Sequence, residues 1–366
     1  MKIKAAVVKE KGGKFEFCDV DLSEIKENEL LVKVVASGIC HTDEFGRQGG
    51  IDQKFPAVFG HEGAGIVEKI GTNVKGIEKG DHVAFSYSYC GECDACREGK
   101  PYYCENFNDI NFGGTASDGE TRIKMDGKDV AMFFGQSSFA EYSIVDKKSV
   151  VKVDKDVDLS LVAPLGCGIQ TGAGTVNNII KPSINSTIAI FGMGAVGLSA
   201  LMAANLEHCK TIIAVGGNEK SLELAKELGA THTVNRKKVK SVPDEIKKIT
   251  GKGVDFAIDT SGVGTMIQHA IDSTAFNGSI FVLGPSGIIE SFNVGADILM
   301  NMKTLRGTCE GESIAQKYIP EMIRMYKEGK FPIDRLIKVY EFDDIENAFD
   351  DSLNGRVIKA VLSINK

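Results

Sequence analysis

Thr187-Ile188-Ala189-Ile190-Phe191-Gly192-Met193-Gly194-Ala195-Val196-Gly197 is the stretch on which the fold turns. A short apolar run of β type ends in a glycine pattern and passes at once into a helix-forming segment, 196–207. Glycine patterns alone are weak signals, because glycines cluster in many turns. Between a strand and a helix, however, each glycine has its own part to play. Gly192 permits the tight turn, Gly194 lets a pyrophosphate approach the backbone, and Gly197 allows the helix to pack close on the strand. The free N–H groups and dipole of the helix start then favour an anion.

Downstream the alternation continues. A second strand is predicted over 211–215 and a helix over 219–228, closed by Gly229. Ser241 can cap a helix beginning at Val242 and Pro243, and 254–259 and 278–283 read as further strands. Such alternation predicts an α/β unit, a doubly wound parallel sheet of Rossmann type covered on both faces. Upstream of about residue 185 the pattern differs: short β-branched runs at 29–36, 64–70, 82–85 and 139–145 are separated by glycine-rich turns and predict an irregular β-rich domain. In the tail a helix over 313–327 precedes β-type segments that could rejoin that first domain.

Bulk properties set the outer limits. A chain of 366 residues with an average apolar fraction suits two domains. The formal charge of -7 gives no electrostatic footprint for nucleic acid and disfavours an anionic membrane. Met1-Lys2-Ile3-Lys4 leads into no long apolar leader, and no later run reaches membrane-spanning length, so a cytoplasmic location is expected. Nine cysteines in a reducing compartment point to metal ligands before disulfides.

Four of them form Cys90-x-x-Cys93-x-x-Cys96, with Cys104 after seven further residues. Four thiolates this close can close a tetrahedral zinc site within one loop, whose turns Gly91, Gly99 and Pro101 supply. An iron–sulfur cluster favours other spacings and a proline directly after the last cysteine. With every position filled by protein, this zinc would be structural. A second set is dispersed: Cys40 in Gly38-Ile39-Cys40-His41-Thr42-Asp43, His61 in Gly60-His61-Glu62-Gly63, and Cys167 in Pro164-Leu165-Gly166-Cys167-Gly168. Each alone is more often core or surface. Together they make a zinc set whose fourth position is free for water or an alkoxide.

On these motifs the chain resembles the zinc-containing medium-chain alcohol dehydrogenases over essentially its whole length, and most of all their bacterial aryl and benzyl alcohol branch. The resemblance implies a GroES-like catalytic domain, 1–168 and 309–366, and a Rossmann domain, 169–308. It implies zinc ligands Cys40, His61 and Cys167, carboxylates Glu62 and Asp43 nearby, and Thr42 as the hydroxyl that accepts the alcohol proton. His41 and Lys359 would lie near the coenzyme pyrophosphate and Thr171 near the nicotinamide. Phe45 stands where members with a terminal relay carry histidine, so the proton would leave without that relay. Phe133, Phe134, Ile51 and Pro285 would line an apolar pocket, although ordinary core is as good a reading of them. Cys18, Cys209 and Cys309 are read as structural.

The second strand bears on the coenzyme. Members using NAD carry Asp after the valine, where a carboxylate bonds the ribose and repels a 2′-phosphate; here Val215 is followed by Gly216-Gly217-Asn218. NADP(H) is therefore favoured, with Lys220 or Ser221 as phosphate contacts and Arg236 as a more distant one. NAD(H) stays open because Glu219 is close by. The expected reaction is hydride exchange between the nicotinamide and a primary alcohol or aldehyde, aryl or otherwise bulky and apolar, by a homo-oligomer, dimer or tetramer. A polyol or secondary-alcohol dehydrogenase, or a zinc protein without activity, is the alternative.

Overall fold

Residues 187–197 fold as the strand Thr187–Phe191 and the start of the helix Ala195–Leu206, with Gly192 at φ +101° between them. Apolar residues on all sides of this helix reflect its almost complete burial. Its strand is central in a six-stranded, wholly parallel sheet in the order His232–Asn235, Thr211–Gly216, Thr187–Phe191, Val254–Asp259, Thr274–Val282 and Thr304–Gly307. Counted along the chain this is 3-2-1-4-5-6, which reverses direction beside the first strand and leaves a crevice at the carboxyl ends. The Gly192 turn and the Gly216 strand end both lie at those carboxyl ends.

Local chemistry explains most boundaries. Ser241 accepts a hydrogen bond from the Asp244 N–H and Asn218 one from the Lys220 N–H, so each caps its helix, Val242–Thr250 and Glu219–Glu227. The fifth strand starts four residues before the predicted 278. Thr274 pairs with Val254, the register then slips, and Asn277 at φ +60° interrupts the pattern that sequence alone can follow. Two elements lie outside the sequence expectations: helix Gly264–Ser273, although Met266, Ile267, Ala270 and Ile271 recur at helical spacing, and the strand His232–Asn235, too short and polar to show alternation.

The computed structural model describes residues 1–284 and 287–365, so Pro285 lies outside the described residues. Two units are formed: Met1–Cys167 with Ile314–Lys366, and Gly168–Ser313. The first holds two β-sheets. One is antiparallel, ordered Ala57–Val58, Lys2–Val8, Phe15–Leu22, Ile123–Met125, Lys128–Val130. The other runs Val150–Val153, His82–Phe85, Glu62–Ile70, Glu29–Gly38, Lys359–Ser363, Ile337–Glu341, with Tyr142–Asp146 also paired to Glu29–Gly38. The tail thus adds its strands to the first unit's sheet. Among the described residues no helix is long and apolar enough to cross a membrane.

A Cβ at Gly197 would stand 1.8 Å from the Gly192 carbonyl oxygen, so strand and helix meet there without room for a methyl group. Gly197→Ala is expected to lower the unfolding free energy by about 2–3 kcal/mol, read from urea titration; an unchanged midpoint would contradict this close packing.

Candidate active site

Strand register brings the dispersed ligands together. Gly38 pairs with Glu62, so the ends of two neighbouring strands lie side by side and Cys40, two residues on, meets His61, one residue back. Cys167 arrives through a turn in which Gly166 passes so close to the Phe85 carbonyl that a Cβ would lie 1.8 Å from it; the Ser86 hydroxyl donates to the Gly166 carbonyl at 2.7 Å. One ligand atom each from Cys40, His61, Glu62 and Cys167 lies within 4.8 Å of all the others.

The donor set fits a divalent cation. His61 Nδ1 donates to Asp43 Oδ1 at 2.8 Å, which leaves Nε2, buried and without a hydrogen-bond partner, as a lone pair directed elsewhere. This is the tautomer a zinc-bound imidazole needs. A hydrogen bond from Cys167 draws the Cys40 thiol well below the ordinary thiol range, against its burial, with the His61 ring and the Lys359 ammonium adding to the effect. Burial opposes a charged His61 ring, yet Asp43 and Cys40 outweigh it and hold the ring well above the usual imidazole range. The Cys40 shift favours the thiolate, and the His61 shift reports the buried negative charge that this thiolate and Asp43 place beside the ring. A metal cation would answer the same demand as the extra proton on His61 and would displace it. Zinc on these donors supplies a Lewis acid that acidifies an alcohol and polarises a carbonyl.

Lys359 sits elsewhere than expected. Its ammonium is buried and donates to the Ile39 carbonyl and to both Glu62 oxygens, each at 2.9 Å, so all three of its protons are engaged. In place of a pyrophosphate contact it is the counter-ion of Glu62. Burial pushes the Glu62 carboxyl up to about 7, with Lys359 pulling the other way; the Lys359 ammonium is raised by Glu62 in spite of its own burial. Gly38 accommodates this pair, since a Cβ there would fall 2.0 Å from Glu62 Oε2. Sequence reasoning missed the pairing because its members are 297 residues apart.

The remaining candidates divide. Thr42 Oγ1 lies 3.6 Å from Cys40 Sγ. His41 is exposed at the start of helix His41–Arg47. Phe45 is 39% exposed and its ring covers Gly50. Phe133 and Phe134 are buried in an aromatic cluster, and Phe134 stacks on the His61 ring at 4.5 Å, so they brace a ligand and do not stand open as a pocket wall. Ile51 is half-buried against the same cluster. In the second unit, Thr171 is buried on helix Gly168–Gly174. A Cβ on Gly194 would meet nothing within 4 Å, which leaves an open cradle at the helix start where a phosphate can approach. Gly216 pairs with Asn235, and the next residue, Arg236, donates its N–H to the Gly216 carbonyl. Its guanidinium Nε would lie 3.2 Å from a Cβ on Gly217, and Lys237 Cε 3.1 Å. Lys220 and Ser221 are on the helix that follows.

The four-cysteine loop is also assembled, with all four sulfurs within 4.8 Å. Cys90 Sγ accepts from the N–H groups of Glu92 and Cys93, and Cys104 Sγ from that of Cys90. Burial works against the Cys90 thiolate, but those two N–H groups bring the thiol down to about 6. Cys18, Cys209 and Cys309 belong to neither cluster.

Comparison with known proteins agrees with this geometry. Residues 26–155 match the alcohol dehydrogenase GroES-like domain and residues 195–328 the zinc-binding dehydrogenase domain. The chain is 38% identical over 363 residues, 98% of its length and 96% of the relative's, to geraniol dehydrogenase of Castellaniella defragrans. Among solved structures it is similar to benzyl alcohol dehydrogenase from Acinetobacter calcoaceticus, with 43% identity and TM-score 0.94, and to an alcohol dehydrogenase zinc-binding domain protein from Burkholderia ambifaria, with 41% and 0.95; each comparison covers both chains completely. The chain belongs to the zinc-containing medium-chain alcohol dehydrogenases. Its activity is that of a zinc-dependent alcohol dehydrogenase, an oxidoreductase acting on CH–OH.

Two variants test the metal cluster. Cys40→Ala should lose about one zinc per chain and its activity while keeping its fold. Asp43→Asn, which frees the His61 tautomer, should weaken zinc binding at this cluster about 10–100-fold in chelator titrations. Full activity in Cys40→Ala would contradict the assignment.

Proposed function

We propose that this enzyme interconverts bulky apolar primary alcohols, benzyl alcohol among them, and their aldehydes, with NADP(H) as coenzyme. Cys40, His61 and Cys167 hold the zinc, and Thr42 Oγ1 receives the alcohol proton. Phe45 offers no further relay. Support for the substrate class comes from the benzyl alcohol and geraniol dehydrogenases to which the chain is similar and from the exposed aromatic face of Phe45. Apolar contact discriminates only modestly per methylene, so several aldehydes should be accepted. A cytoplasmic homo-oligomer is the setting we infer.

The observation that carries the coenzyme preference is the Arg236 guanidinium beside Gly217. At Gly216 no carboxylate is present to bond a ribose or repel a 2′-phosphate. Arg236 follows directly from the pairing of the second and third strands of the parallel sheet, so it, more than Lys220, is the cation fixed at the strand end. Among the described residues it makes no ion pair, and an Arg fork suits a phosphate. Glu219, the acid that could serve NAD instead, is held by Lys238 at 2.7 Å and by the Asn235 amide.

Initial rates with NAD and NADP across a panel of alcohols test both parts. Benzyl alcohol should exceed ethanol in kcat/KM, and NADP should exceed NAD. Arg236→Ala should lower kcat/KM for NADP about tenfold or more and leave NAD nearly unchanged. Gly216→Asp should lower it for NADP and raise it for NAD, with Gly216→Ala as the control for crowding against Leu222 and Met193. Equal or better use of NAD by the unaltered enzyme would overturn the preference, and ethanol as best substrate would overturn the bulky apolar substrate class.

A further inference from the structure

The four-cysteine loop carries its own charge problem. A divalent ion on four thiolates leaves a net charge of about -2, and only Cys104 among the four is buried. The cations borne by the loop itself are already opposed by carboxylates: Arg97 faces Asp94 at 3.7 Å and Lys100 pairs with Glu98 at 2.8 Å. One cation reaches it from elsewhere in the same unit. Lys148 Nζ donates to the Cys90 carbonyl at 2.8 Å, and its Cδ and Nζ would lie 3.5 and 3.7 Å from a Cβ on Gly91. The ammonium also stands 5.8 Å above the Tyr89 ring. Among the described residues Lys148 makes no ion pair with a carboxylate.

Its backbone is fixed independently of the loop. The Lys148 N–H is accepted by Asp146 Oδ1 at 2.8 Å, and its carbonyl accepts from Gln316 Nε2. Next to it, the Ser149 carbonyl accepts from the Ser86 N–H at 2.9 Å and the hydroxyls of Ser88 and Ser149 are 2.7 Å apart. A short strap, 146–149, is thereby bound to the segment 86–88 that leads into Cys90 and presents one ammonium across the Cys90–Gly91 peptide.

We propose that Lys148 is a positioning residue for the four-thiolate zinc: it clamps the Cys90 carbonyl and offsets the negative charge of the metal–thiolate group, and so sets how firmly the loop retains its ion. Neither function touches the Cys40 cluster, so the proposal stands or falls apart from the substrate and coenzyme readings. Outer partners that orient metal ligands and balance their charge commonly change metal affinity by about 10–100-fold when removed.

Zinc release from the holoenzyme to a chromogenic chelator gives the test. In a Cys40→Ala background only the loop zinc remains to be followed. There, Lys148→Met should release it about tenfold faster or more, and Lys148→Arg, which keeps charge and donor, should stay within about twofold of the parent. If Lys148→Met does not fold, Lys148→Gln poses the same question, since it keeps a donor without the charge. Release from the parent should also quicken as salt is raised from low ionic strength, because screening weakens the ammonium's contribution, whereas the uncharged variants should respond less. A packing role alone would not produce that difference. Release from Lys148→Met or Lys148→Gln at the parent rate, or the same salt dependence in parent and variants, would overturn the proposal.

Discussion

The Asp43 carboxylate is fully buried and takes three hydrogen bonds, from His61 Nδ1 at 2.8 Å and from the backbone N–H groups of Cys40 and Gly60 at 3.1 Å each. A buried anion is tolerated only when it is so satisfied. In satisfying it, the chain fixes three features at once: the conformation of the loop that carries Cys40, the backbone just before His61, and the ring nitrogen that faces the thiolates. Remove that contact and the metal ligands lose their common orientation. Phe134, stacked on the face of the ring that Asp43 holds by its edge, completes the restraint by packing.

Around this group the charges are arranged in pairs. Cys40, Cys167, Glu62 and Asp43 can bring four negative charges into a volume with little access to water, where Lys359 is the buried cation that faces them. Lys359 is matched to Glu62, and His61 is drawn toward protonation. Electrostatics of this kind call for a divalent ion. The second unit relies on steric openness instead. Gly192 makes the turn, Gly197 lets the helix pack against it, and Gly194 alone opens onto space where a phosphate can approach, while the absence of a carboxylate at Gly216 leaves the end of the second strand of its parallel sheet to Arg236.

What could be read in the sequence follows from how local the determinants are. The strand at 187–191, the strands at 82–85 and 254–259, and the Ser241 and Asn218 segments are governed by residues within a few positions, and periodicity or capping chemistry finds them. The zinc loop is legible for the same reason, all its ligands lying within one turn-rich segment. Cys40, His61 and Cys167 are far apart, and only their motifs, read through family resemblance, connected them. The Lys359–Glu62 pair depends on a strand from the carboxyl-terminal tail joining the first unit's sheet, and nothing near residue 359 announces it. Phe133 and Phe134 illustrate a different limit. Apolar side chains serve core and pocket equally, and only packing shows these two supporting a ligand. Arg236 was readable as a cation, but its place beside Gly217 needs the Gly216–Asn235 register.

Diffraction from crystals of the purified enzyme, recorded on both sides of the zinc absorption edge, examines the metal cluster itself. An anomalous peak is predicted about 2.3 Å from the sulfurs of Cys40 and Cys167 and about 2.0–2.1 Å from His61 Nε2, with Nδ1 still on Asp43. No peak between those three side chains, or a ring turned so that Nδ1 binds the metal and Asp43 is left without it, would contradict the central role given to the Asp43–His61 contact.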